Sequence, residues 1–142
     1  MYYDDVKANF SGTSYTIDNI EGEAEVTVPD AKYDLERIPS KHGRGLWDEG
    51  LHYGLVGGGN SGYQAVNLAY LLGAKTILLL GLDMYGTHYF GPHPSGLVNG
   101  SPFDAFIKCF ETIDRRQVEI INCSRRSALT CFPSVPIEYV LS

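Results

Sequence analysis

Gly57, Gly58, Gly59, Asn60, Ser61 and Gly62 run directly into an apolar helical pattern, and residues of these types suit the holding of an anion. Glycine has no Cβ, so its N–H approaches a phosphate oxygen closely and its backbone tolerates φ > 0. A helix opening straight after such a loop aims its free N–H groups and positive dipole end at the same point. The Ser61 hydroxyl adds a donor. Gly58, Gly59, Asn60, Ser61 and Gly62 are therefore the candidate cofactor-binding residues, as a cradle for the phosphate of a ligand. A tight turn without a ligand is the alternative. The spacing is neither the dinucleotide fingerprint nor a Walker A motif, since no Gly-Lys-Ser/Thr follows.

Asp83 stands just beyond the apolar run "ILLLG" (Ile77–Gly81). In an open parallel sheet, ligands bind outside the carboxyl ends of the strands. A carboxylate there accepts hydrogen bonds from a ribose or sugar hydroxyl, or holds a divalent metal; the competing role is a cap for the next turn. His88 and His93 follow, with Tyr89 between them. Histidine suits proton transfer near neutral pH. Asp83, His88 and His93 are thus the candidate catalytic residues, against the alternative of structural or merely exposed histidines. A His-x4-His pair in a loop does not set two rings on one helical face and has no firm third ligand, so no metal site is assigned. His52 is a further histidine of the same kind.

These residues need elements to hold them. Asn60 or Ser61 can cap a helix, within which Ala65, Leu68, Ala69 and Leu72 make an apolar stripe at i, i+3, i+4, i+7. Gly73 suits the left-handed position past the helix end. "KTILLLGLD" (Lys75–Asp83) is a continuous apolar run, expected as a central strand covered on both faces. The loop Gly86–Pro102, about seventeen residues long, exceeds the usual connection, and such loops are often functional. A second helix is expected from near Pro102 to around Arg116, with Phe103, Phe106, Ile107 and Phe110 on its apolar face. "VEIINCS" (Val118–Ser124) reads as another buried strand. The tail after Pro136 reads as a short helix or strand.

The first fifty residues are less regular. Glu23–Asp30 alternates as a strand does and stops at Pro29. Glu36–Gly50 reads as a loop broken by Pro39, Gly43, Gly45 and Gly50, with Trp47 either anchoring it or forming a ligand wall. Strand and helix alternate through the rest, which predicts an α/β fold with a small, mostly parallel sheet of about four or five strands. The expected organisation is one domain over 1–142: an irregular extension with a strand over 1–50, and a βαβ core over 51–142.

The chain's 142 residues, 44% of them hydrophobic, suit one globular core. A formal net charge of −6 disfavours non-specific nucleic-acid binding, which needs a cationic surface. Arg115/Arg116 and Arg125/Arg126 are either local basic patches or solvated charges. "MYYDDVKANF" lacks a secretory signal's basic and apolar regions, and no apolar run is long enough to cross a bilayer. Cys109, Cys123 and Cys131 have no paired spacing and read as free thiols in a reducing, cytoplasmic compartment, with Cys109 in the core. Tyr2, Tyr3, Tyr15, Tyr33 and Tyr53 either pack an extension or form the contacts of a homo-oligomer.

The segment "NSGYQAVNLAYLLGAKTILLLGLDMY" (Asn60–Tyr85) resembles a Ser-Gly…Ala-x2-Leu-Ala…Leu-Gly…Ile-x-Leu-x-Gly-x-Asp stretch. That stretch is shared by the family 42 sialyltransferases, the flagellin-modifying Maf glycosyltransferases and the MptE-like pterin pyrophosphokinases. "HYFGPHP" and "INCS…SALTCFP" are similar to segments of small phage-encoded proteins of that group. The resemblance implies a Rossmann-like three-layer sandwich and a transferase-related protein that binds a nucleotide or sugar-nucleotide phosphate. It matches Ser61 and Gly62 to a phosphate-contacting Ser-Gly pair, Asp83 to the acid after the strand, and His88 or His93 to a catalytic histidine. The group's opening strand and glycine-rich turn have no counterpart in this sequence. The other expectation is therefore a non-catalytic phage accessory protein, an oligomeric binding or assembly module in the host cytoplasm. Function within the group is diverse.

Overall fold

The computed structural model describes residues 11–19, 35–41, 45, 55–57, 60–86 and 102–142. Among them the chain forms β1 (Ser14–Asn19), β2 (Leu35–Lys41), β3 (Leu55–Val56), α1 (Ser61–Leu71), β4 (Thr76–Leu79), α2 (Phe103–Glu111), β5 (Glu119–Asn122) and α3 (Ile137–Val140). The fold is α/β, and all its strand pairings among the described residues are parallel: β1–β2–β3 in one sheet and β4–β5 in another. Parallel neighbours need a crossover, and α2 lies between β4 and β5 in the chain as that crossover's helix.

Residues 35–41 correct the sequence-based expectation of a loop. They form β2, with Ser14 to Asn19 of β1 opposite Leu35 to Ser40. Pro39 stands opposite Asp18 of β1, and among the described residues the pairing with β3 takes in Ser40 and Lys41. Ile38 is buried and gives the strand an apolar anchor. The strand expected over Glu23–Asp30, Trp47 and His52 lie outside the described residues.

Helix α1 opens as expected. Asn60 is its N-cap, and its Oδ1 accepts a hydrogen bond from the Tyr63 N–H at 2.8 Å. It closes on Leu72, followed by Gly73 at φ +90°, the left-handed conformation that glycine adopts without steric cost. Its buried face, however, is Tyr63, Val66 and Asn67; of the predicted stripe Ala69 packs partly buried against the core and Leu68 is half-buried, while Ala65 and Leu72 are exposed. The reason is chemical. Asn67 is fully buried because its Oδ1 accepts the Val56 N–H at 2.8 Å, locking helix to strand. The Tyr63 hydroxyl donates to the Gly45 carbonyl. A polar residue inside the core face hides that face from a count of apolar positions.

Strands β4 and β5 run in register from Thr76–Glu119 to Leu79–Asn122. Both alternate rather than being covered on both sides: Ile77, Leu79, Ile120 and Asn122 are buried, Leu78 and Ile121 are half-buried, and Leu80 is exposed. Helix α2 starts at Phe103 after Pro102 and ends at Glu111, a turn earlier than expected, where Thr112 caps it and its hydroxyl donates to the Cys109 carbonyl. Phe110 is fully buried and meets Tyr63 of α1 and Phe132 edge-on, at centroid distances of 5.3 and 6.3 Å. Such contacts add to the burial of apolar area. This cluster, with Ile77, Leu79, Val118, Ile120 and Leu129, is the core. Cys109 belongs to it, and all three cysteines are free. Among the described residues no helix is long and apolar enough to cross a membrane.

Candidate functional site

The carboxyl ends of β4 and β5 open into a cavity of about 560 Å³, within the range of small-molecule sites. It is built from three chain segments. The β4 end supplies Leu80 and Asp83, the β5 end Ser124 and Arg125, and the C-terminal segment Ser134 and Glu138.

Hydrogen bonds clamp these segments together. The Leu82 N–H donates to Ser124 Oγ at 3.1 Å, Ser127 Oγ donates to the Leu82 carbonyl at 2.6 Å, and the Ala128 N–H donates to the Asp83 carbonyl at 2.8 Å. The turn that carries Asp83 takes positive φ at Gly81 (+71°), Met84 (+57°) and Gly86 (+76°). Methionine is uncommon there; burial of its side chain in the core holds it.

Asn122 ties the third segment in. Its backbone N–H donates to the Pro133 carbonyl at 2.8 Å, and its carbonyl accepts from Val135 N–H at 3.1 Å. Its side chain is buried, accepting from the Ser124 N–H through Oδ1 and donating from Nδ2 to the Leu129 carbonyl. One asparagine thereby sets the β5 loop and the wall that bears Glu138.

The residues singled out from sequence fall as follows. Asp83 lines the cavity with its side chain exposed. Ser61 is exposed at the start of α1, and Gly62 lies against the Leu82 side chain, whose Cδ2 would stand 3.0 Å from a Cβ at that position. The opening of α1 and the β4 end are thus neighbours. Asn60 directs its Oδ1 to the Tyr63 N–H, and its carbonyl accepts from Gln64, so two N–H groups of the first turns are already engaged. Asn60, Ser61 and Gly62 are absent from the cavity's described lining. Gly58, Gly59, His88 and His93 lie outside the described residues.

Arg125, Ser134 and Glu138 were missed as site residues. Arg125 had a signal, since it follows a buried strand at its carboxyl end, as Asp83 does. Ser134 and Glu138 had none, because only the pairing of Asn122 with the tail brings them there. The other arginine pair is solvent-exposed. Arg116 is exposed and bonds Asp114 in the turn after α2, at 2.7 Å, which holds the Asp114 carboxyl down at about 2. Arg115 donates to the Cys131 carbonyl, and burial pushes the Cys131 thiol up.

Chemically, a guanidinium offers a planar fork for a phosphate, and carboxylates accept protons from hydroxyls. Among the described residues no group of three or more His, Cys, Asp or Glu could hold a metal ion. No protein-family model matches the chain, and no curated protein or solved structure matches it either.

Proposed function

We propose that the chain binds a nucleotide or sugar-nucleotide phosphate at the carboxyl ends of β4 and β5, as a Rossmann-like three-layer relative of glycosyl- and phosphoryl-transferases. The observation that carries this reading is the cavity of about 560 Å³, lined by both Asp83 and Arg125, at the ends of two parallel strands. Ligands of α/β sheets favour that position. The start of α1 lies near the β4 end, where Gly62 faces the Leu82 side chain, and His88 and His93, assigned from sequence alone, would handle a proton in an active enzyme.

A thermal-shift panel of nucleotides, nucleotide sugars and divalent metals tests it. A ligand at one hundred times its Kd adds about 2.7 kcal/mol to the folded state. At least one phosphate-bearing compound should raise the unfolding temperature, and Asp83→Asn should remove most of that rise. A panel without any response rejects the reading.

A second reading, a non-catalytic phage-type accessory module that self-associates, is favoured by the exposure of Leu72, Leu80, Tyr85, Tyr139 and Leu141, the last two at 73% and 74%. Where such residues form a contiguous patch they mark a contact surface.

A further inference from the structure

Two parts of the cavity wall are held very differently. The β5 end is fixed from several sides: Asn122, Cys123 and Ser124 are all buried, the Cys123 N–H donates to the Leu79 carbonyl at 2.8 Å, and Ser124 Oγ accepts from Leu82 N–H. The returning segment shares that anchorage as far as Val135. Leu129 and Phe132 are buried in the core, and the Val135 N–H reaches the Asn122 carbonyl. Beyond Val135 the attachment changes. Pro136 has no N–H to give, and every described hydrogen bond of residues 136–142 stays within them. The Tyr139 N–H donates to the Pro136 carbonyl, the Leu141 N–H to the Ile137 carbonyl, and Ser142 Oγ to the Tyr139 carbonyl.

Helix α3 buries none of its four residues and starts at Pro136 without a side-chain cap; Ile137 and Val140 are half-buried. A helix of one turn does not hold itself in water, because its nucleus costs more than its few hydrogen bonds return. With so little apolar surface covered, this segment belongs to the low-stability end of the molecule, where local opening is far cheaper than global unfolding. It nevertheless contributes Pro136, Ile137 and Glu138 to the cavity wall. The fixed side of the same cavity carries Cys123, a free and buried thiol.

We propose that residues 136–142 are a gate on the cavity. They swing away as a unit about the Val135–Pro136 link while Asn122 keeps the rest of the returning segment in place. Opening admits a solute to the cavity floor at Cys123, and closing returns Ile137 and Glu138 to the wall. The core takes no part in the motion, so entry does not require the fold to loosen. The gate acts whatever compound the cavity takes, and it stands or falls separately from the phosphate-ligand reading.

Hydrogen exchange of the full wild-type chain, followed amide by amide by NMR, tests the motion. The bonded amides of Tyr139 and Leu141 should be protected about a hundredfold less than those of Asn122, Cys123 and Val135. Equal protection on the two sides of Pro136 overturns the proposal. Alkylation by iodoacetamide tests the access. Arg115, Arg116, Arg125 and Arg126 divide the three cysteines among separate tryptic peptides, so mass spectrometry follows each thiol by itself. Ile137→Asp removes an apolar contact of the gate and should speed the labelling of Cys123 about tenfold. Cys109, buried in the core, should keep its wild-type rate. Unchanged labelling of Cys123 in this variant overturns the gate. So does an equal acceleration at Cys109, because access would then follow unfolding of the core.

Discussion

Asn122 carries more of the site than any charged residue does. It is 1% exposed, and its backbone and side chain together make four described hydrogen bonds, to Pro133, Val135, Ser124 and Leu129. Replacement by alanine keeps the backbone pair but leaves the Ser124 N–H and the Leu129 carbonyl without their partner. A buried group left unsatisfied costs about 1–3 kcal/mol, so Asn122→Ala should lower the unfolding free energy by about 3 kcal/mol. Urea denaturation measures it, and a loss below about 0.5 kcal/mol, the ordinary range of surface changes, would show the side chain idle. Little of this was legible in the sequence. "VEIINCS" reads as an apolar strand with a polar end, and nothing local tells that the Asn122 amide is aimed inward at its own loop.

At the scale of elements, start and stop chemistry read well, while faces and partners did not. Asn60 and Gly73 bracket α1 as their residue types predict, because caps depend on a few neighbouring backbone groups. The face of α1 depends on Val56 and Gly45, which are distant in sequence, and so it was misread. Residues 35–41 were misread for the same reason: Pro39 argues locally against a strand, but the pairing of Leu35 to Ser40 with β1 is a tertiary fact. Gly73 allows a clean test of the local part. Among the described residues nothing but its chain neighbours lies within 4 Å of a Cβ added there, yet φ is +90°. The loss on Gly73→Ala is therefore conformational, about 1 kcal/mol. Gly73→Asn should lose less, since asparagine tolerates the left-handed region better. Thermal unfolding of the two variants gives the order, and equal stability of alanine and glycine would contradict it.

For the whole molecule, the parallel α/β plan was legible from the alternation of apolar runs and helical patterns, whereas the cavity was legible only in part. Asp83 could be placed at a strand end from sequence; its companions Arg125 and Glu138 come together through the crossover and the returning tail. Exposure adds a question of assembly. Leu80 at the cavity and Tyr139 on the short helix beside it are 61% and 73% exposed, and self-association would cover them. Sedimentation velocity should then show a dimer or larger species that Leu80→Asp together with Tyr139→Asp returns to monomer. A wild-type chain that sediments only as monomer removes the assembly reading and leaves the ligand reading untouched.

The junction of β3 with α1 has a bearing on how the protein avoids trouble in a crowded solution. A strand edge with idle amides is a template on which another chain can grow. At Val56 that amide is already occupied, by the carboxamide of Asn67. A foreign strand therefore finds no donor at this position unless the helix first peels away. The buried carboxamide on the helix thus withholds one donor from any chain that would add there.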